Sequence, residues 1–366
     1  MTSLSHIAAV RWRPFRLPMT HRFEAASGTL DDREGVLLEL HDADGTTGIG
    51  EASPMASLGG GSCEDVLRLL EAHGGALDVA LDALPDDEPG VAALRCAVDT
   101  ALLDLEGRAS GRSVAELLTE AAARAVQVNA VLGDGSLSEV VAYAQQAVQS
   151  GYVVLKLKVG VGALEHDLAL VAAVREACPD AVVRLDANGA WGEDEAGEAI
   201  DRLATAGVEL LEQPVAAADV EAFARLRERA AFRLAADETV SSASLADRVI
   251  ELRAADLLVL KPMVLGGISP ALALAQRAAL AGIGSFVTTT FDSSVGTAAA
   301  LHLAAALPWD AAQGLGTGDH LAADVVASPL RPVEGSLAVG GPGLGVELDA
   351  AALAEVATGE WCEVRS

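Results

Sequence analysis

Only three lysines occur in the 366-residue chain, against 22 arginines, and two of them stand one residue apart in "VVLKLKVGVG" as Lys156 and Lys158. Arginine stays protonated across the ordinary pH range. Lysine can serve as a base once its reference pKa of about 10.4 is lowered toward neutrality. The third lysine, Lys261, ends the apolar run "DLLVLKP". Acids end similar runs: Asp186 in "AVVRLDA", Glu212 in "VELLEQP", and Asp237 in "FRLAADE", with Glu238 directly after it. From Lys158 the successive steps to Asp186, Glu212, Asp237 and Lys261 are 28, 26, 25 and 24 residues, each about one strand-plus-helix unit. A charge inside a buried strand is costly unless it is used. One such acid could equally pair with an arginine at a sheet edge, but three on successive units point to a shared task. Carboxylates supply only oxygen, which suits Mg²⁺, with Mn²⁺ as an alternative. Residues two apart in a strand share a face. Lys156 is therefore placed to disfavour the ammonium form of Lys158, and Lys158 reads as the base.

These side chains need elements that end at one place. From about residue 125 onward, apolar strand-like runs alternate with alanine-rich amphipathic ones. The strand candidates are "VQVNAVL", "YVVLKLKV", "AVVRLDA", "VELLEQP", "FRLAADE", "DLLVLKP", "GSFVTTT" and "AAQGLGT". Strands alternating with helices imply parallel βαβ units, and eight of them close into a barrel whose C-terminal rim carries the site. The first ~120 residues differ: "GVLLELHDADGTTGIGEASP" reads as two strands around a polar turn, and two helical stretches follow, which is the pattern of a small α+β domain. The predicted organisation is an α/β fold, a (β/α)7β TIM-like barrel with an α+β capping domain. The capping domain takes residues 1–122, the barrel 123–325, and 326–366 returns to the cap.

Composition sets limits. Aromatics are 3% of a chain that is 51% apolar, so the core is built from Ala, Val and Leu. A net charge of −28 argues against nucleic acid and anionic membranes as partners, and fits a salt-adapted protein or a GC-rich gene. No run of about 18 apolar residues predicts a membrane span, and no signal peptide is read at the start. Cys63, Cys96, Cys178 and Cys362 form no CxxC pair, which suggests a reduced, cytoplasmic protein. "GLGTGD" lacks a dinucleotide fingerprint, and its glycines instead suggest close backbone approach to a ligand. "GGGS" at 59–62 reads as a capping-domain loop, part of a lid. His21 and His320 read as bystanders. Ser241, Ser242 and Ser293 have no His–Asp partner that would make a hydrolase.

At this point the residues resemble the enolase superfamily, in its muconate-cycloisomerase-like branch. "LKLKVG" is similar to that family's KxK strand, "RLDANGAW", "LLEQPV" and "AADETV" to its acid-bearing strands, and "VLKPMVLGGI" to its sixth-strand lysine. The resemblance implies catalysis by Lys158, Lys261 and Lys156. It implies a Mg²⁺ ion on Asp186, Glu212 and Asp237, with Asn188 and Glu238 orienting that shell. Within the branch the chain most resembles the o-succinylbenzoate synthase family, through "DDREGVLLEL" with Arg33, "GIGEASPMASLGGGSCED", "VNAVL" with Asn129, and "FDSSVGTAAALHLAAAL" followed by "QGLGTGDHLAADV". Met55-Ala56-Ser57 departs from that family's Leu-Pro-Gly. Gly314-Leu315-Gly316 stands where dipeptide epimerases carry Asp-x-Asp. The implied reaction is a syn-dehydration of a small-molecule carboxylate. Racemisation of N-acylated amino acids, dipeptide epimerisation and muconate cycloisomerisation use the same residues, and a non-catalytic metal-binding barrel is the alternative from another class. Whether copies of the chain assemble is not legible.

Overall fold

The computed structural model of the chain describes residues 7–25, 28–133, 135–308 and 311–365, apart from the side chains of 22–25, 28, 29, 78 and 79. Strand β1 (Ile7–Ala25) runs antiparallel to β2 (Gly28–Asp42), and β2 to β3 (Thr47–Ala52). The run "GVLLEL" is apolar at successive positions because both faces of this sheet are covered. Val36, Leu38 and Leu40 join Val10 and Trp12 against the capping helices. Leu37, one residue out of phase, joins Phe15 and Leu17 in the cluster that faces the barrel. Helices α1 (Cys63–His73), α2 (Leu77–Ala83), α3 (Val91–Ser110) and α4 (Val114–Leu118) complete the cap. Helix α3 lies so close to β3 that a Cβ at Gly50 would stand 2.8 Å from the Ala97 carbonyl carbon, so glycine is required there. Asp104 on α3 is buried, and its carboxylate accepts from Ile49 N at 2.9 Å, Leu344 N at 2.7 Å and Arg108 Nε at 2.8 Å. It ties the sheet, the helix and the C-terminal segment together.

The first barrel strand is split. Strand β4 (Ala125–Gln127) turns away to pair with a C-terminal strand, and β5 (Ala130–Leu132) opens the parallel sheet. After α5 (Leu137–Gln149) the alternation is regular: β6 (Val154–Lys158), α6 (Leu164–Ala177), β7 (Val182–Asp186), α7 (Glu193–Leu203), β8 (Val208–Glu212), α8 (Val220–Arg229), β9 (Arg233–Ala236), α9 (Ala243–Leu252) and β10 (Leu257–Leu260). Then come α10 (Pro262–Leu265), α11 (Ile268–Leu280), β11 (Gly284–Val287) and α12 (Ser294–Ala306). The seven strands β5 to β11 are parallel neighbours in chain order. The expected eighth strand is reduced to two parallel bridges, Thr288 to Gly314 and Val128 to Gln313, which close the ring. Its hydrogen-bonding groups are still satisfied, Gly314 N reaching Val287 O at 2.8 Å and Asn129 N reaching Gln313 O at 2.9 Å.

Apolar helix faces pack on the outside of this ring in one continuous core. The lumen is closed below by Leu210, Ala235, Leu257, Val259 and Phe286. Among them lies the buried Arg184, whose Nε meets Glu209 at 2.6 Å and whose guanidinium lies 5.4 Å from the Phe286 ring centroid. Helix α12 is buried along all but its last residue, wedged between barrel and cap, which explains its run of small side chains. The chain ends in β12 (Ser336–Ala338) beside β4, α13 (Ala350–Val356), and β13 (Cys362–Arg365) beside β1. All four cysteines are free thiols. No described helix is long and apolar enough to cross a membrane.

Candidate functional site

Two-residue periodicity builds the site. Lys156 and Lys158 share the lumen face of β6, Arg184 and Asp186 that of β7, and Leu210 and Glu212 that of β8. In each strand the deeper residue plugs or narrows the barrel and the last one reaches its C-terminal rim. The register sets Lys158 beside Asp186 and Asp186 beside Glu212. Asp237 and Glu238 follow β9, and Lys261 follows β10.

Seven of these side chains, Lys156, Lys158, Asp186, Glu212, Asp237, Glu238 and Lys261, line one cavity of about 120 Å³ together with Asn188. Its walls come from Met55, Ser57 and Leu58 of the cap, Val131 after Asn129, Thr288 to Phe291 after β11, and Thr317. Lys156 Nζ lies 2.8 Å from both Asp186 Oδ2 and Glu212 Oε1. Lys158 Nζ lies 2.7 Å from that same Asp186 oxygen and 2.7 Å from Asn188 Oδ1. Asn188 Nδ2 donates onward to Glu238 Oε1 at 2.9 Å, and Lys261 donates to Asp237. Burial opposes the charge of Lys156, yet Asp186, Glu212 and Asp237 together hold its ammonium above the ordinary lysine value. Lys261 is raised in the same way by Asp237 and Glu238. Asp186 is buried but held well below the usual carboxylate range by Lys156 and Lys158. Glu212 is pushed well up by burial and by the charge of Asp186, and Glu238 by burial and Asp237.

The expected cage of Asp186, Glu212 and Asp237 is open: among the described residues no three acidic, histidine or cysteine side chains close on a common point as they stand. Lys156 bridges Asp186 and Glu212, Lys158 also meets Asp186, and Lys261 meets Asp237. The residues nonetheless fit a hard divalent cation. Glu212 Oε2 and Glu238 Oε2 are buried without any hydrogen-bond partner, and the acids that face the cavity offer only oxygen to a cation.

The remaining sequence-predicted residues stand behind the walls. Arg33 is buried, donating to Ser53 O at 2.6 Å and Pro54 O at 2.9 Å, so it holds the capping loop. Asn129 is buried with both amide atoms unpartnered, on the same strand face as Val131. Gly314, Leu315 and Gly316 do not reach the cavity. Their glycines approach Thr288 and Asn129. "GGGS" precedes α1, with Ser62 as its cap. His21 and His320 line a wider cavity of about 830 Å³ that meets the first at Val131. Ser293 caps α12. Sequence reasoning missed Gln213, whose backbone turns left-handed at φ 39° so that its buried amide can accept from Asp237 N at 2.9 Å and fix that strand end. Met55 and Ser57, which mark the departure in the capping loop, form part of the wall, and sequence reasoning missed the wall residues Leu58 and Thr288 to Phe291.

Residues 9–119 match the family described as mandelate racemase / muconate lactonizing enzyme, N-terminal domain, and residues 139–352 match the enolase C-terminal domain-like family. A chloromuconate cycloisomerase of Pseudomonas putida is 31% identical over 352 residues, covering 91% of this chain and 94% of that protein. The structure of N-succinyl Arg/Lys racemase from Bacillus cereus superimposes with TM-score 0.90 at 27% identity, covering 98% of this chain and 100% of that one. Muconate lactonizing enzyme from Pseudomonas fluorescens, complexed with muconolactone, gives 0.88 at 27% identity over 96% of this chain and 100% of that one. With both family matches and a relative of this coverage, the chain belongs to the enolase superfamily, in its muconate-cycloisomerase-like branch, and is an enzyme.

Proposed function

We propose that the protein dehydrates 2-succinyl-6-hydroxy-2,4-cyclohexadiene-1-carboxylate to o-succinylbenzoate. The observation that carries the reading is the facing of Lys158 on β6 and Lys261 after β10 across one cavity, with Lys156 among the carboxylates between them. Residues 1–122 and 326–366 act as the cap and 123–325 as the catalytic barrel.

Lys158, steered by Asn188, takes the proton next to the substrate carboxylate. Lys156 sets positive charge where the ene-diolate develops. The Lys158 ammonium then returns the proton to the departing hydroxyl, which leaves as water from the same face, and the ring becomes aromatic. Lys261 faces the ring from the opposite side and steadies it by cation–π attraction. Asp186, Glu212 and Asp237 are the residues that would hold a Mg²⁺ ion, which would supply further positive charge beside the substrate carboxylate. Against a dipeptide substrate, position 314 has no room for the acid that would hold an ammonium: a Cβ there would stand 2.8 Å from Thr288 Cβ.

A second reading is favoured by the same two lysines: proton removal by one and return by the other racemises an N-acylated amino acid. The test is a panel with Mg²⁺. Loss of the diene absorbance should be fast in the wild type and absent in Lys158→Ala. Solvent deuterium should enter N-succinyl amino acids slowly or not at all. Turnover by Lys158→Ala near the wild-type rate would overturn the mechanism, and rapid exchange without dehydration would transfer the assignment to racemisation.

A further inference from the structure

Behind the cavity wall lies a second set of buried charges that the reaction does not use. Glu51 on β3 is only 2% exposed, yet it reaches across to the N-terminus of α12. Its Oε1 accepts from Ser53 Oγ at 2.6 Å and Ser293 N at 3.1 Å. Its Oε2 accepts from Gly296 N at 2.9 Å and from the Ser293 hydroxyl. A capping-domain carboxylate thus completes the cap of a barrel helix 242 residues away in the chain. Asp292, also buried, accepts from Thr290 Oγ1 at 2.6 Å and lies 3.8 Å from the Arg33 guanidinium. Arg33 in turn holds the carbonyls of Ser53 and Pro54, the base of the loop that carries Met55, Ser57 and Leu58. There is no slack: a Cβ at Gly296 would stand 2.7 Å from Asp292 Cβ and 3.2 Å from Glu51 Oε2. Phe291, which lies between Thr290 and Asp292 and lines the cavity, is left-handed at φ 61°. That conformation is strained for a bulky residue and persists only where its surroundings impose it.

We propose that Glu51 is a positioning residue: with Arg33 and Asp292 it latches the capping loop to the segment after β11, so that Met55–Leu58 and Thr288–Phe291 form one fixed wall for the substrate. The latch holds two acids and one arginine. Below neutral pH it is balanced, because burial and the charge of Asp292 push the Glu51 carboxyl up to about 7. Asp292 is raised by burial against the pull of Arg33 and Thr290. The other groups facing the cluster do not supply the missing charge. Asp32 on β2 is acidic. The Cys96 thiol on α3, beside Asp99, is pushed well up by burial, and Cys63 on α1 is pushed up to about 11. Asp324 meets the same helix end through Ser294. Ionising Glu51 sets a second carboxylate charge beside that of Asp292, with Arg33 as the one cation of the latch; the hydrogen bonds to Glu51 offset this repulsion only in part, and the wall loosens. The effect falls on substrate binding, since the latch touches none of the lysines.

This inference takes its substrate from the proposed function. In the wild type, KM should rise about tenfold between pH 6 and pH 8. E51Q cannot ionise, so its KM should stay flat over that range whatever its level, since one amide nitrogen must face a backbone N–H of Ser293 or Gly296. E51A removes the latch and should raise KM about tenfold at every pH while kcat stays within about threefold. D292N removes the like charge, so the KM rise should leave the pH 6 to 8 window. A KM profile for E51Q that rises as the wild type does would overturn the proposal, as would an unchanged KM in E51A. If E51A does not fold, the E51Q profile decides. Melting curves of wild type and E51Q at pH 6 and pH 8 test the latch without any substrate. A difference that widens with pH, in a protein that fails to turn over the proposed diene, would keep the latch and discard the assigned reaction.

Discussion

Lys156→Met tests the charge balance of the candidate site. Three lysines face the four carboxylates of Asp186, Glu212, Asp237 and Glu238 in this cavity. Lys156 is the one that bridges two of them, at 2.8 Å each, and both partners are about 1% exposed. Methionine fills most of the lysine stem, so the loss is mainly electrostatic. Removing one partner of a buried ion pair costs about 3–5 kcal/mol because the other charge stays uncompensated. Unfolding entropy of about 2.1 cal/mol/K per residue makes 1 kcal/mol worth roughly 1 °C for this 366-residue chain. In chelator, the variant should therefore melt about 5 °C below the wild type. The penalty should depend on pH with a definite sign. Lys156 is raised, so in the wild type its stabilisation is fully present below the ordinary lysine value and constant from pH 5 to 8. Glu212 is raised too, so falling pH lets it take up a proton and relieve the strained pair in the variant. The gap should be smaller at pH 5 than at pH 8. Adding Mg²⁺ should narrow it again, since a divalent cation replaces the missing charge. A variant that melts within a degree of wild type in chelator would refute the reasoning, and so would a gap that Mg²⁺ widens.

Four further outcomes follow from the same contacts. Asn188→Ala removes the 2.7 Å contact to Lys158 and should lower kcat about 10- to 100-fold with little change in KM, read by steady-state kinetics. Asp104→Ala strips three hydrogen bonds from a buried junction and should cost about 3 kcal/mol, read from the urea midpoint. Glu51 is raised from an ordinary 4.5 to about 7, so its proton favours the folded state at low pH. That stabilisation should be lost as pH rises from 4.5 through 7, a change of about 3 kcal/mol, and melts of wild type against E51Q at pH 5 and 8 should show it. Gly314→Ala forces a Cβ to 2.8 Å from Thr288 Cβ and should cost about 1–3 kcal/mol while raising KM, because Thr288 is a cavity wall.

The barrel was legible because its strands are short, apolar and end in charge at a constant chain interval, and this spacing needs no knowledge of the partner strand. The same logic failed at the ring's closure. The eighth strand survives only as bridges at Gln313 and Gly314, and the first breaks at Asn129 so that β4 can pair with β12. Neither follows from local pattern, since each is decided by a partner far along the chain. Strand β1 was missed for a related reason. Arg11 and Arg16 interrupt its apolar pattern, and their compensation by Glu39 and Glu34 lies on β2. Within the site, residue types at strand ends were readable, but their pairing was not. Spacing suggests that three acids close around an ion, and only coordinates place an ammonium between them. Arg33, Glu51 and Asp292 lie in three stretches that carried the resemblance, "DDREGVLLEL", "GIGEASPMASLGGGSCED" and "FDSSVGTAAALHLAAAL", but their meeting was not legible, because no one segment shows its partners in the other two.

This division between what is periodic and what is not matches a division of labour. Dehydration, racemisation and cycloisomerisation all move a proton beside a carboxylate, so a ring of lysines and acids on consecutive strands can serve each of them without change. The choice among them must come from surfaces that the ring does not supply. In this chain those surfaces are Met55, Ser57 and Leu58 from one domain and Thr288 to Phe291 from the other. Two loops from different domains can define one binding surface only if something fixes their separation, and a cavity of about 120 Å³ leaves little tolerance for drift. The chain meets that need with buried charge. Hydrogen bonds from Ser53, Ser293 and Gly296 to one carboxylate specify distance and angle, where apolar packing alone would allow the domains to slide. With the proposed latch, specificity rests on these walls and on Glu51, Arg33 and Asp292, which stand behind them and hold them in place.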